Sequence, residues 1–381
     1  MEKIYLDNAS TTALLPEVIE EITTILSTQY GNPSSTHSFG RSAKVVLETS
    51  RKTIAKLLNA EAREIIFTSG GTEADNLVIR SAVNDLKVQR IITAKTEHHA
   101  VLHTVEAVSK QYGTEVVYVN LKANGLPDLE HLEDILKDNK PTLVSLMHVN
   151  NETGTIFDLN AIGTLCHQYN AWFHSDTVQS VGKELLDLKN LPVDFAAASA
   201  HKFHGPKGVG FAYIKKNITL KGMITGGEQE KGLRAGTEAV HQIAGMAKAL
   251  EIAYNNLEEE RNYISGLKNY LLEQLEVAFP DFKVNGADEG DNNSSHLFYN
   301  IVNVMLPLPD EKTAMILFHL DMKGIAVSRG SACQSGSVRP SHVLQELLSE
   351  EDIKKPSLRI SLSHYNTKQD IDKLIEALKA V

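Results

Sequence analysis

Lys202 lies in the run SAHKFHGPKGVGF, where a strand of small residues ends beside Gly205 and Pro206. Taken alone it is a surface lysine on a loop. A second strand end, WFHSDTVQS, puts Asp176 at the carboxyl edge of the same inferred sheet, and open α/β sheets bind ligands at the carboxyl ends of their strands. A lysine able to form a Schiff base and a carboxylate able to protonate a pyridine nitrogen are the minimal pair for pyridoxal phosphate chemistry. The phosphate of such a cofactor needs an anion site, and FTSGGTEADN supplies one. Ser69, Gly70, Gly71 and Thr72 follow a strand and open a helix, presenting amide hydrogens and the positive end of the helix dipole. A tight turn with a hydroxyl helix cap is the plain alternative for that run. It contains neither G-x-G-x-x-G nor the spacing of a Walker lysine, so a dinucleotide or ATP site gains no support.

Three further residues are site candidates by position. His98, in TEHHAV after the strand RIITA, could stack on a cofactor ring or shuttle protons near neutral pH, or simply cap a helix. Asn151, in HVNNETG, could bond a ring hydroxyl or a substrate carboxylate, although the same residues make an ordinary turn. Arg359, in the strand SLRISLS, has a fork that suits a carboxylate, whether of a substrate or of a structural salt bridge. Cys333 lies in SRGSACQSGSVRP, among Ser, Gly, Ala and Arg with almost nothing to pack against. That setting suits a thiol exposed on a mobile loop, where its thiolate can attack. Cys166, in AIGTLCHQYNA, follows a helical pattern and belongs to the core.

These residues need elements to position them. Over residues 64–214 the runs EIIFTS, RIITA, EVVYV, TLVSLMHV, WFHSD, DFAAAS and GFAYI alternate with helical patterns, which predicts βαβ units and a mostly parallel sheet buried by helices. HSFGRSAKVVLETSRKTIAKLLNA before them is one long amphipathic helix. Residues 238–277 are rich in Ala, Leu, Glu and Lys without a strand-like run, the signature of a helical connector. FKVNG, LFYNIVNVML, a helical EKTAMILFHLDMKG, SLRISLS and a terminal helix TKQDIDKLIEALKAV then suffice for a smaller α+β domain, with a polar surface loop over residues 287–295.

Composition bounds the function. The 381 residues carry 38 Lys and Arg against 48 Asp and Glu, a formal charge of −10, which disfavours a nucleic-acid partner. No apolar stretch reaches transmembrane length and the start, MEKIYLDNAS, has no secretory apolar core, so a cytoplasmic chain mature from Met1 is expected, with no membrane partner. Two cysteines cannot form a disulfide framework or a four-cysteine zinc site, and none of the 15 histidines falls in H-E-x-x-H, so no metal is expected.

The succession YLDNASTT, GNPSSTH, FTSGGTEADN, TEHHAV, MHVNNETG, HSDTVQS, SAHKFHGPKG, LRAGT, SRGSACQSGS and LRISLS resembles, in order and over nearly the whole chain, the cysteine desulfurases of NifS/IscS type. These are class V aminotransferases among the fold-type I pyridoxal-phosphate enzymes. The resemblance implies an aspartate aminotransferase-like fold, with a large α/β domain around a mostly parallel seven-stranded sheet and a smaller α+β domain. It divides the chain into a large cofactor-binding domain, residues 15–255, and a small domain, residues 1–14 plus 256–381, carrying a mobile cysteine loop at about 328–340. It implies that Lys202 holds pyridoxal 5'-phosphate, that Asp176 pairs with the pyridine nitrogen, and that His98 stacks on the ring and moves protons. Gly71, Thr72, Ser199 and His201 match the phosphate cup, and Thr237 resembles a residue lent by the second subunit of a homodimer. Gln179 and Asn151 match the residues around the ring hydroxyl, and Asn151 with Arg359 the pair that anchors the carboxylate of cysteine.

The implied reaction converts L-cysteine to L-alanine and leaves the sulfur on Cys333 as a persulfide. The sequence around Cys333 is similar to the long-loop group that passes sulfur directly to scaffold proteins for iron–sulfur cluster assembly, with tRNA thiolation a second outlet. The competing readings are a selenocysteine lyase or aminotransferase using the same Lys202 and Asp176, and a non-catalytic scaffold.

Overall fold

The computed structural model describes residues 3–330 and 341–381. Cys333 and most of the expected cysteine loop therefore lie outside the described residues. The amino-terminal third runs β1 (Ile4–Tyr5), α1 (Pro16–Thr28), α2 (Ser38–Leu57), β2 (Ile65–Thr68), α3 (Gly71–Asp85), β3 (Arg90–Thr93), α4 (His99–Tyr112) and β4 (Glu115–Tyr118). The middle continues with α5 (Leu129–Leu136), β5 (Thr142–Ser145), α6 (Leu159–Gln168), β6 (Trp172–Asp176), β7 (Phe195–Ser199) and β8 (Gly210–Ile214). Then follow α7 (Val240–Asn255), α8 (Leu257–Ala278), β9 (Lys283–Val284), β10 (Ile301–Met305), α9 (Ile316–Met322), β11 (Ile325–Ala326), α10 (His342–Leu347), β12 (Ser357–Ser361) and α11 (Lys368–Lys379).

The seven runs expected as strands form one sheet, in the order β2-β8-β7-β6-β5-β3-β4. β4, β3, β5, β6 and β7 are parallel, whereas β8 runs antiparallel to both β7 and β2. The continuous apolar character of β2, β3, β5, β7 and β8 follows from burial on both faces. One face packs on a core that includes Ile54, Phe67, Phe173 and Phe211. The other packs on Leu77, Val101, Leu143 and Phe195 beneath α3 and α4. A separate apolar cluster joins Ile4 and Leu6 to Leu271, Val302, Val304, Ile360 and Leu374, around a three-stranded sheet of order β12-β10-β9.

The helical connector is two helices, broken at Asn256, whose φ of −105° and ψ of 5° leave the helical region. α7 contributes Met246 and Leu250 to the large core and α8 contributes Leu267 and Leu271 to the small one. The helix expected across EKTAMILFHLDMKG is shorter than its pattern, with a 3₁₀ turn at Asp310–Lys312 and α9 only from Ile316. The Lys312 amine bonds the Val381 carbonyl at 2.5 Å. Among the described residues no helix is long and apolar enough to cross a membrane.

Candidate active site

A cavity of about 480 Å³ opens at the carboxyl edge of the large sheet. Ser69, Gly70, Gly71, Thr72, His98, Asn151, Asp176, Gln179, Ser199, His201, Lys202 and Arg359 all line it. Parallel β-strands end on one side of a sheet, so β5, β6 and β7 deliver their following turns to the same place. That geometry brings together residues separated by almost three hundred positions.

α3 begins at Gly71, its N-cap residue is Gly70, and no side chain caps it. A Cβ at Gly71 would stand 2.5 Å from Val178 Cγ2, so glycine is what lets the helix start press against the turn after β6. Gly70 has φ +151°, a conformation that side-chain-bearing residues rarely adopt. The helix thus presents its first amide hydrogens beside the hydroxyls of Thr72 and Ser199, a donor set suited to a phosphate. The hydroxyl cap of the plain reading is not formed.

Lys202 closes a short 3₁₀ turn after β7. Its amine donates to the carbonyls of Ala9 (2.7 Å) and Ser10 (2.8 Å), nearly two hundred residues away. Asp176 ends β6, and its Oδ1 accepts from the Val178 amide at 2.9 Å. Burial pushes its carboxyl up to about 6, against the opposing pull of that hydrogen bond and of the Lys202 charge. A carboxylate at the cavity wall, an amine, and a glycine-opened helix start together fit a pyridine ring that bears an aldehyde and a phosphate.

His98 is both cavity residue and helix cap, its Nδ1 accepting from the Ala100 amide at 3.1 Å. Burial and the Lys202 charge push it down to about 4, so the ring is neutral at physiological pH. Gln179 donates to the Ala9 carbonyl at 2.9 Å. His201 Nδ1 lies 3.1 Å from the Thr11 hydroxyl. Arg359 is buried in β12 and donates to Asp7 (2.8 Å), to the Ser10 hydroxyl (2.5 Å) and to the Asn151 carbonyl (2.8 Å), while its Nε has no hydrogen-bond partner among the described residues. The structural and functional alternatives for Arg359 are therefore combined in one side chain. Thr237 lines a neighbouring cavity, which shares Ser69 and Gly208 with the first. Its segment is tied to the helix start by Arg234 and Glu73 at 2.9 Å.

Sequence reasoning missed Asp75, Glu97 and Lys183. Asp75 also lines the cavity, fully buried, with neither carboxylate oxygen hydrogen-bonded among the described residues and His174 Nε2 at 3.4 Å. Its spacing of four from Gly71 on α3 is the signal, because such residues share a helix face. Glu97 accepts from the Met147 amide at 2.6 Å and, among the described residues, leaves Oε2 without a hydrogen-bond partner. Cys166 is buried as expected, and burial raises its thiol far above the ordinary range.

The class-V aminotransferase family matches residues 4–374. The cysteine desulfurase IscS of Clostridium botulinum is 41% identical over 382 positions, covering 100% of this chain and 94% of that protein. The chain belongs to the class-V aminotransferase family, among the cysteine desulfurases of IscS and NifS type. A NifS-like protein superposes with a TM-score of 0.89 at 34% identity, covering 100% of this chain and 99% of the other. A structure of SspA in complex with cysteine, at 31% identity and a TM-score of 0.80, covers 96% of this chain and 100% of its own. The desulfurase fold thus carries the cavity described above, around Lys202 and Asp176.

Proposed function

We propose that this chain binds pyridoxal 5'-phosphate and takes sulfur from L-cysteine, leaving L-alanine and a persulfide on Cys333. The observation that carries the reading is the meeting of Lys202 and Asp176 in one cavity beneath a helix that opens on glycine. Bound there, the cofactor would supply an aldehyde for the amine and an electron sink for the bond broken at the substrate α-carbon. Gly71, Thr72, Ser199 and His201 would hold its phosphate, and Asp176 would keep a proton on its ring nitrogen. Gln179 and Asn151 would flank its ring hydroxyl. Lys202 takes the α-proton from the substrate and returns it. His98, kept neutral at the cavity wall by burial and the Lys202 charge, would flank the ring and relay protons. Arg359 and Asn151 receive the substrate carboxylate, with Asp7 fixing the guanidinium. The Cys333 thiolate attacks the substrate sulfur, so that a sulfur–sulfur bond forms as the carbon–sulfur bond breaks.

The same reading makes residues 15–255 the large domain and residues 1–14 plus 256–381 the small one, supported by the break at Asn256 and the two separate apolar cores. It takes the working form as a cytoplasmic homodimer in which Thr237 completes the partner's phosphate cup, and the acceptor of sulfur as a scaffold protein for iron–sulfur clusters.

The test is release of sulfide and alanine from L-cysteine, with reductant and added cofactor, by wild type and Cys333→Ala. Equal release of both products by wild type and little by the variant is expected. Undiminished release by Cys333→Ala removes the persulfide step, and alanine-free amino transfer by wild type moves the assignment to an aminotransferase.

A further inference from the structure

Lys183 lies four residues after Gln179, on the turn that follows β6, and is buried. Its amine donates to Gln179 Oε1 at 3.4 Å. Among the described residues no carboxylate is paired with it. Glu184 beside it is paired with Arg261 at 2.9 Å, and Glu260 with His364 at 3.2 Å. The titratable groups facing it are His201 and Lys202 of the 3₁₀ turn, His204, Glu260 of α8, Tyr299 and His364. Burial and the positive charge of Lys202 both push its amine down, to about 7. An amine in such a place weakens the fold compared with an apolar side chain of its size. Groups that cost stability beside a reactive centre are retained for what they do there.

The connection to the centre is continuous. The two ends of a carboxamide are nearly equal in shape, so its orientation is set by whichever partners it meets. With the Lys183 amine donating to Oε1, the Gln179 Nε2 must face the Ala9 carbonyl, to which it donates at 2.9 Å. That carbonyl also accepts from Lys202 at 2.7 Å. We propose that Lys183 is a positioning residue for the reactive lysine: it locks the Gln179 amide in the orientation that shares the Ala9 carbonyl with Lys202. This rests on Lys202 and Gln179 forming the cofactor site. With Lys183 removed, Gln179 Oε1 loses its donor and the amide is held only at the Ala9 carbonyl, so the anchor that it shares with Lys202 is less firmly fixed.

The experiment is a double-mutant cycle read by binding and melting rather than turnover. Apoproteins of wild type, Lys183→Met, Gln179→Leu and the double variant are titrated with pyridoxal 5'-phosphate, and each is melted without it. Lys183→Met is expected to melt at or above the wild-type temperature while binding the cofactor about fivefold to tenfold more weakly. In the Gln179→Leu background the same change is expected to have no further effect on affinity. Lys183→Arg, which keeps a cationic donor, is expected to bind more tightly than Lys183→Met. Additive losses in the cycle, or wild-type affinity in Lys183→Met, overturn the role of Lys183 while leaving the functional reading intact. Failure of wild type itself to bind the cofactor overturns that reading, and the role of Lys183 with it.

Discussion

At its carboxyl edge the seven-stranded sheet buries Asp75, Glu97 and Asp176, and among the described residues none of them is salt-bridged to an arginine or lysine. The three-stranded sheet does the opposite. Its buried cation, Arg359, is bonded by Asp7, Ser10 and the Asn151 carbonyl, with apolar Leu358 and Ile360 on either side in the strand. Uncompensated buried charge is expensive, and a domain otherwise built from leucine and isoleucine would not retain it for stability. The contrast teaches that the large sheet leaves buried carboxyls without a lysine or arginine partner where an incoming molecule would bind, while the small sheet delivers to the same cavity a guanidinium already held by Asp7, Ser10 and Asn151.

The sharpest way to break this comparison is Lys202→Ala, which removes the amine whose positive charge opposes the raised carboxyl of Asp176. Sulfide release from cysteine should fall by about a thousandfold or more, with the circular dichroism of the apoprotein unchanged. Loss of secondary structure instead would show that the amine holds the fold, as Arg359 does.

Arg359→Ala tests the satisfied side. It strands Asp7 in a largely buried position, so denaturant unfolding should show a loss of about 3 kcal/mol or more, together with weaker binding of substrate. Unchanged stability would mean that the Asp7 pairing is incidental.

Asp75→Asn tests the unsatisfied side, and stability should rise. Burial, with the charges of Asp176 and Glu97 added, raises the carboxyl of Asp75 in the folded chain well above its unfolded value. The folded chain therefore binds that proton more tightly than the unfolded chain does. Stability declines as pH climbs above the ordinary carboxylate range, and the deficit is complete once pH passes the raised folded value. The neutral amide removes it, so melting of the apoprotein at neutral pH should rise by about 2 °C or more, with the gain shrinking as pH falls toward about 4. A gain that does not change with pH would locate the effect in packing.

The smallest effect separates the two duties of His98. His98→Asn keeps a side-chain acceptor for the Ala100 amide and His98→Ala does not, so the alanine variant should be less stable by about 1 kcal/mol. Both should lose activity alike if the ring is what the chemistry uses.

Much of this was written locally in the chain. Each of the seven strands of the large sheet was a short β-branched or small-residue run, and the cavity candidates of that sheet were polar or glycine residues at or just past the end of such a run, whereas Arg359 lies inside β12. Strand ends are local features, and a parallel sheet gathers them without further instruction. The reversal of β8 was not legible, because GFAYI has the same apolar run whichever way it points. Nor was the short span of α9, whose pattern continues past the point where the backbone turns.

The sequence by itself determined which residue types stand at the strand ends: the amine of Lys202, the carboxylate of Asp176, the glycines that open α3, and the ring of His98. Tertiary structure alone decided their states. Lys202 is oriented by carbonyls nearly two hundred residues earlier, Arg359 by an aspartate at the other end of the chain, and Lys183 by an amide one turn away that the core closes over. Spacing along a chain reports neighbours within a turn or a strand. Burial and electric field arise from groups that meet only when the chain has folded, and these are what set the charge and aim of each group in the cavity.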